Sequence, residues 1–154
     1  MRWLRRFGPV ILWAAVIFGF STSAFTPEHT SRIITPILRW LFPHATPYFI
    51  DRMHHFVRKG AHVFEYFIFS LLLLNAIRNK RAWELKWAFL TVAIVFVYAC
   101  SDEFHQIFVP GRGPAFRDVM LDTFAGILAQ AAVWAWLAMG RRLHNAALTQ
   151  TEPE

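Results

Sequence analysis

The chain has 154 residues, of which 56% are hydrophobic, 17% aromatic and only 17% charged, with a mean hydropathy of +0.34. That balance argues against a cytosolic globular enzyme and against disorder, and it points to a single membrane-embedded domain over residues 1–154. The formal charge of +6 fits either a nucleic-acid footprint or loop charge on one side of a bilayer, so the positions of the cations decide its meaning.

A helix crosses the hydrocarbon with about 20 mostly apolar residues. Residues 7–25 carry no charge and predict the first span. Arg2, Arg5 and Arg6 before it, and Thr22-Ser23-Ala24 near its end, also have the layout of a secretory signal. Trp3, Trp13 and the near-full length favour a retained helix. Residues 31–42 then place Ile33, Ile34, Ile37, Leu38, Leu41 and Phe42 at helical spacing, with Arg32 and Arg39 elsewhere on the wheel. This pattern predicts an amphipathic helix lying in the interface, kinked or started by Pro36. Pro43 and Pro47 are expected to break the chain after it. His44, His54 and His55 read as solvated loop residues.

The second span is expected at residues 61–77, apolar apart from His62, Glu65 and uncharged polar groups. The third is expected at 87–103, ending in Ser101, Asp102 and Glu103, and the fourth at 119–139, interrupted by Asp122, Thr123 and Gln130. The runs are too long and too uniform for strands. The predicted fold is therefore all-α: an integral membrane four-helix bundle with an interfacial helix between the first two spans. Cys100 stands alone in an apolar run and reads as a packing residue.

Placing the N-terminus on the cytoplasmic side puts nine cations and three acids on the inner flanks, and seven of each on the outer side and in the spans. The cations thus orient the chain in the cytoplasmic membrane with both termini inside. Nucleic-acid binding is not expected, because the cations flank hydrophobic spans and no such motif is present.

Ions within spans are costly and usually functional. At 1.5 Å per residue, Glu65 lies roughly 20 Å above Arg78, Asp102 roughly 24 Å above Lys86, and Asp122 roughly 28 Å above Arg141. All three thus sit in the outer leaflet, which suggests one shared site. Arg58, His62 and Glu65 share one face of the second span, with Lys59 and Tyr66 beside it. Tyr98, Asp102, His105 and Gln106 share a side of the third, with Glu103 adjacent. Asp118, Asp122, Gly126 and Gln130 form a stripe on the fourth, where the glycine permits close helix approach. Pro110-Gly111-Arg112-Gly113-Pro114 reads as a turn holding Arg112 at the outer mouth. Plainer readings stand beside these. Lys59 can snorkel to the interface, Asp118 can be an N-terminal helix acid, and the ions together can form a structural network.

Two segments carry a resemblance. His55-Phe56-Val57-Arg58-Lys59-Gly60-Ala61-His62-Val63-Phe64-Glu65-Tyr66 resembles the second-helix motif of the VanZ-like family. Ser101-Asp102-Glu103-Phe104-His105-Gln106-Ile107-Phe108-Val109-Pro110-Gly111-Arg112, followed by Asp118-Val119 and Gly126, is similar to a second motif of that family. The Phe20-Ser21-Thr22-Ser23 ending of the first span is also similar, and the likeness covers roughly residues 10–138. The family pattern often has Asn where this chain has Asp122. The resemblance implies a small bacterial integral membrane protein of the cell envelope, related to one that confers teicoplanin resistance. It does not imply a reaction.

On these residues the leading expectation is recognition of an anionic cell-envelope lipid or peptidoglycan-precursor headgroup at the outer leaflet, linked through the family to glycopeptide tolerance. Arg58, Lys59, Gln106, Arg112 and Asp118 are the candidate binding residues, because guanidinium and ammonium groups clamp phosphate or carboxylate. His62, Glu65, Asp102 and Glu103 are the candidate acid–base residues. One alternative is a membrane-embedded hydrolase or transferase acting on a lipid-linked phosphate, although no nucleophile elbow surrounds Ser101. A second is a non-catalytic transporter, flippase or signalling subunit. His62, Glu65, Asp102 and Glu103 are of types that suit zinc or magnesium. They lack HExxH or comparable spacing, so no metal site and no cofactor is assigned.

Overall fold

The computed structural model describes residues 2–22, 27–79, 81–109 and 115–149. Among them the chain is helical with no strand: α1 (Arg2–Ser21), α2 (Pro27–Leu41), α3 (Pro47–Arg78), α4 (Leu85–Gln106) and α5 (Phe116–Thr149). All except α2 are long and apolar enough to cross a membrane. The four predicted spans are therefore present. Large apolar side chains such as Leu12, Phe64, Phe89, Val97 and Trp136 point outward, as a bundle surrounded by hydrocarbon requires.

α3 is the centre of the bundle, packing against each of the other four helices. α1 and α3 meet head to tail. Arg6 of α1 donates to the Ala76 carbonyl and, at 2.9 Å, to the Ile77 carbonyl in the last turn of α3. Those carbonyls have no partner within their own helix, and the negative end of the helix dipole lies there, so a guanidinium suits the position. Further along, the Trp13 indole donates to the Glu65 carbonyl at 2.9 Å, and the Tyr98 hydroxyl of α4 donates to the Ala14 carbonyl at 2.7 Å. In the basic connection between α3 and α4 and the first turn of α4, Arg81 and Lys86 lie over the Trp87 ring, the arrangement of an interfacial anchor.

Small residues let α4 and α5 close on each other. Ala99, Ala125 and Ala129 are fully buried, and a Cβ at Gly126 would stand 2.9 Å from Cγ1 of the buried Val95. Ser70 of α3 donates to the Gly126 carbonyl at 3.1 Å and accepts from Gln130 Nε2 at 2.8 Å, so one glycine serves both neighbouring helices. In lipid, where tails are as apolar as side chains, such close contacts and interhelical hydrogen bonds hold spans together.

The connection before α3 differs from the sequence expectation. The helix starts at Pro47, fourteen residues before the predicted span. Thr46 caps it by accepting from the Phe49 amide at 3.2 Å, and Pro47 occupies a first-turn position that needs no donor. Pro47 thus begins the helix and does not merely interrupt the chain. The early turns contain Asp51, Arg52, Arg58 and Lys59, which hid them from a search for apolar length. His54 and His55 are consequently helical. His54 is buried beside Thr30 of α2, with Nε2 and Oγ1 3.3 Å apart, while His44 is exposed as expected.

α2 passes through Pro36 without stopping, since that residue lies on an exposed side. The helix rests on the first turns of α3, with Leu38 and Ile50 buried and the Phe42 and Phe49 rings 5.5 Å apart. Ile33, Ile37 and Trp40 remain exposed. α4 and α5 run past their predicted ends at 103 and 139, and α5 begins at Phe116.

Gly126→Ala drives a methyl against the stiff, fully buried Val95 and is expected to destabilise the bundle by about 1–3 kcal/mol. A lowered thermal midpoint in detergent checks this. An unchanged midpoint would mean that the α4–α5 approach tolerates a methyl.

Candidate functional site

Two faces of α3 divide the predicted residues. On one side, Arg58, His62 and Glu65 line a cavity of about 240 Å³ together with Val57 and Ala61 of the same helix. Phe20 at the end of α1 closes it on one flank, and Thr30 and Ile34 of α2 on another. The i, i+4, i+7 spacing that placed the three polar residues on one face is thus realised around one space. The structure adds α1 and α2 as its walls.

On the other side α3 meets α4 and α5. Lys59 forms an ion pair with Asp118 in the first turn of α5, with both side chains about one-third exposed. Tyr66 is fully buried and lies within electrostatic range of Glu65 on its own helix, Asp102 and Tyr98 on α4, and Asp122 on α5. Asp122 of α5 lies within electrostatic range of Asp102 and Glu103 on α4, Lys59 on α3 and Asp118 on its own helix. Ionisable groups of three helices thus come together at one end of the bundle.

The adjacent acids of α4 face different ways. Asp102 Oδ2 accepts from Gln106 Nε2 at 3.1 Å, and the same amide nitrogen donates to Ser21 Oγ of α1 at 3.1 Å. Glu103 Oε2 accepts from the Ala115 backbone amide at 2.7 Å, just ahead of α5. Its carboxylate therefore sits where the dipole of that helix favours negative charge. Asp102, Glu103, Gln106 and Asp122 are all buried. Among the described residues the Tyr66 hydroxyl, Asp102 Oδ1 and Asp122 Oδ1 have no hydrogen-bond partner. Buried polar atoms left in that state are costly, and several together in one bundle call for an explanation beyond packing.

Arg112 lies outside the described residues, as does the turn around it. His105 stacks against Phe18 with ring centroids 4.5 Å apart. Among the described residues no three His, Cys, Asp or Glu side chains converge with metal-holding geometry. The sequence gave no signal for Thr30 and Ile34 as cavity walls, because the placement of α2 on α3 is a tertiary fact. Ser21 and Ser70 were equally silent. Tyr66 was legible as a neighbour of the polar face, four residues after His62.

The family model VanZ/LLP1 matches residues 7–138. The chain belongs to this family. The match takes in α3 and α4 whole and all but the last turns of α5, so every described residue of the site falls within it. No curated protein and no solved structure matches the chain.

Glu103→Ala leaves the Ala115 amide without its acceptor and is expected to cost about 1–3 kcal/mol, whereas Glu103→Gln keeps an acceptor oxygen and costs less. Equilibrium unfolding of both variants in one detergent compares them. Equal losses would show that the contact contributes nothing specific.

Proposed function

We propose that this VanZ-family protein recognises an anionic cell-envelope lipid, or the headgroup of a lipid-linked wall precursor, at the outer leaflet. The observation that carries the reading is the cavity on α3, where Arg58, His62 and Glu65 meet a space walled by α1 and α2. Arg58 supplies a planar donor fork suited to phosphate or carboxylate. Its level supports the outer leaflet. Arg58 stands 20 residues from Arg78, about 30 Å along the helix, which is the thickness of the hydrocarbon core.

In this reading His62 and Glu65 contact the headgroup one and two turns below Arg58. Lys59, Asp118, Gln106 and Glu103 tie α1, α3, α4 and α5 together on the opposite side of α3, by the contacts already described. Arg112 would add a second cation at the mouth. The link to glycopeptide tolerance implied by the family would then run through a wall-precursor lipid held at this site. A second reading, hydrolysis or transfer at a lipid-linked phosphate, draws on Asp102 and Asp122, each buried with one oxygen unpartnered among the described residues. Release of phosphate from a lipid-linked substrate that is lost in Asp102→Asn would favour that reading.

Native mass spectrometry from nanodiscs containing phosphatidylglycerol is the direct test. Arg58→Ala is expected to lower the retained anionic lipid by about tenfold, the worth of one hydrogen bond to a charged group. If Arg58→Ala and Glu65→Ala both retain lipid as the unaltered chain does, the reading fails.

The orientation, with both termini cytoplasmic, rests on the basic inner flanks. In a Cys100→Ala background, a membrane-impermeant maleimide applied to intact spheroplasts is expected to label His44→Cys and spare Asn79→Cys. The reverse pattern would invert the topology and move the site to the inner leaflet.

A further inference from the structure

The cavity has an uneven wall. Its charged groups all come from α3, while α1 contributes Phe20 and α2 contributes Thr30 and Ile34. α1 and α2 both pack on α3, and among the described residues the backbones of α1 and α2 stay apart from each other. The cavity therefore lies in a gap between two helices at the side of the bundle. Phe20 is 39% exposed at that gap, and the apolar surface continues along α2 through the exposed Ile33 and Ile37.

A pocket built for a free anion surrounds it with donors, since an ion stripped of water needs partners on every side. Here the charges occupy one side, and the other carries Phe20 and Ile34 with a single hydroxyl, Thr30, which lies 3.3 Å from His54 Nε2. Amphiphiles divide their surface in the same way. An unpartnered apolar face joined to membrane-spanning helices is matched by hydrocarbon.

From this arrangement we infer that the ligand is a long-chain lipid carrying a phosphate-bearing head, which enters sideways from the outer leaflet between α1 and α2. Its head rests on the Arg58 face. Its tail passes out between Phe20 and Ile34 and stays in the bilayer. A water-soluble phosphate ester with the same head would lack the second half of the interaction. The inference rests on the headgroup reading above and narrows its substrate class.

The test uses the full chain in phosphatidylcholine nanodiscs containing a minority of phosphatidylglycerol, with native mass spectrometry as the readout. Glycerol 1-phosphate, the same phosphate chemistry without a tail, is added as competitor. The lipid is expected to remain bound at about a hundredfold molar excess of glycerol 1-phosphate, a difference equivalent to two decades in affinity. Ile34→Trp and Phe20→Trp, which narrow the gap from opposite sides, are each expected to lower retained lipid about tenfold. Thermal midpoints of both variants in detergent report whether the fold is kept. Displacement of the lipid by glycerol 1-phosphate overturns the inference, as does full retention in both tryptophan variants. In either case, loss of lipid in Arg58→Ala leaves the headgroup reading standing. If Arg58→Ala also retains the lipid, both fall together.

Discussion

Water is absent from the hydrocarbon, so a polar group carried into a span needs a partner on its own helix or on a neighbour. The partners found on neighbouring helices organise one end of this bundle. Lys59 ties α3 to α5, Gln106 ties α4 to α1, and Glu103 ties α4 to the backbone ahead of α5. Together these contacts fix α1, α4 and α5 with α3. The apolar contacts alone would not select this arrangement, because lipid tails compete for the same surfaces. Specificity therefore comes from the polar atoms, while closeness comes from Gly126 and the buried alanines.

The polar contacts that tie α4 and α5 lie on the opposite side of α3 from the cavity, but one residue serves both purposes. That residue is Glu65. Its side chain lines the cavity, and its backbone carbonyl accepts the Trp13 indole that secures α1. A lipid held on α3 would lie one helix away from every interhelical bond in the outer half. Occupancy of the cavity and stability of the bundle are thus expected to be linked, as they are whenever a ligand binds only the folded state.

Much of this was readable before any coordinates. The spans were visible as apolar runs, and the ionisable groups of three spans could be levelled by counting residues from the basic flanks. Facing residues on α3 followed from helical periodicity. The first turns of α3 were missed because their charges broke the apolar window, although Thr46 and Pro47 carried a legible start signal. The cavity walls were not legible at all. Thr30 and Ile34 share the cavity with Arg58 only because α2 folds back onto α3, a choice made between distant segments. Asp102 and Glu103, as neighbours on one helix, point about 100° apart. Nothing in the sequence pointed to the Ala115 amide as the partner of Glu103.

The clasp between Arg6 and the end of α3 has a mechanical consequence. It fixes the start of α1 against the end of α3, while Phe20 and Ser21 stand about 20 Å further along α1, near the cavity. A helix anchored at its base by a neighbour moves with that neighbour when the bilayer thins or the bundle tilts. The distance from base to cavity wall is then a property of the pair of helices and not of the surrounding lipid. α1 acts as a ruler, so the cavity keeps its dimensions in membranes of different thickness.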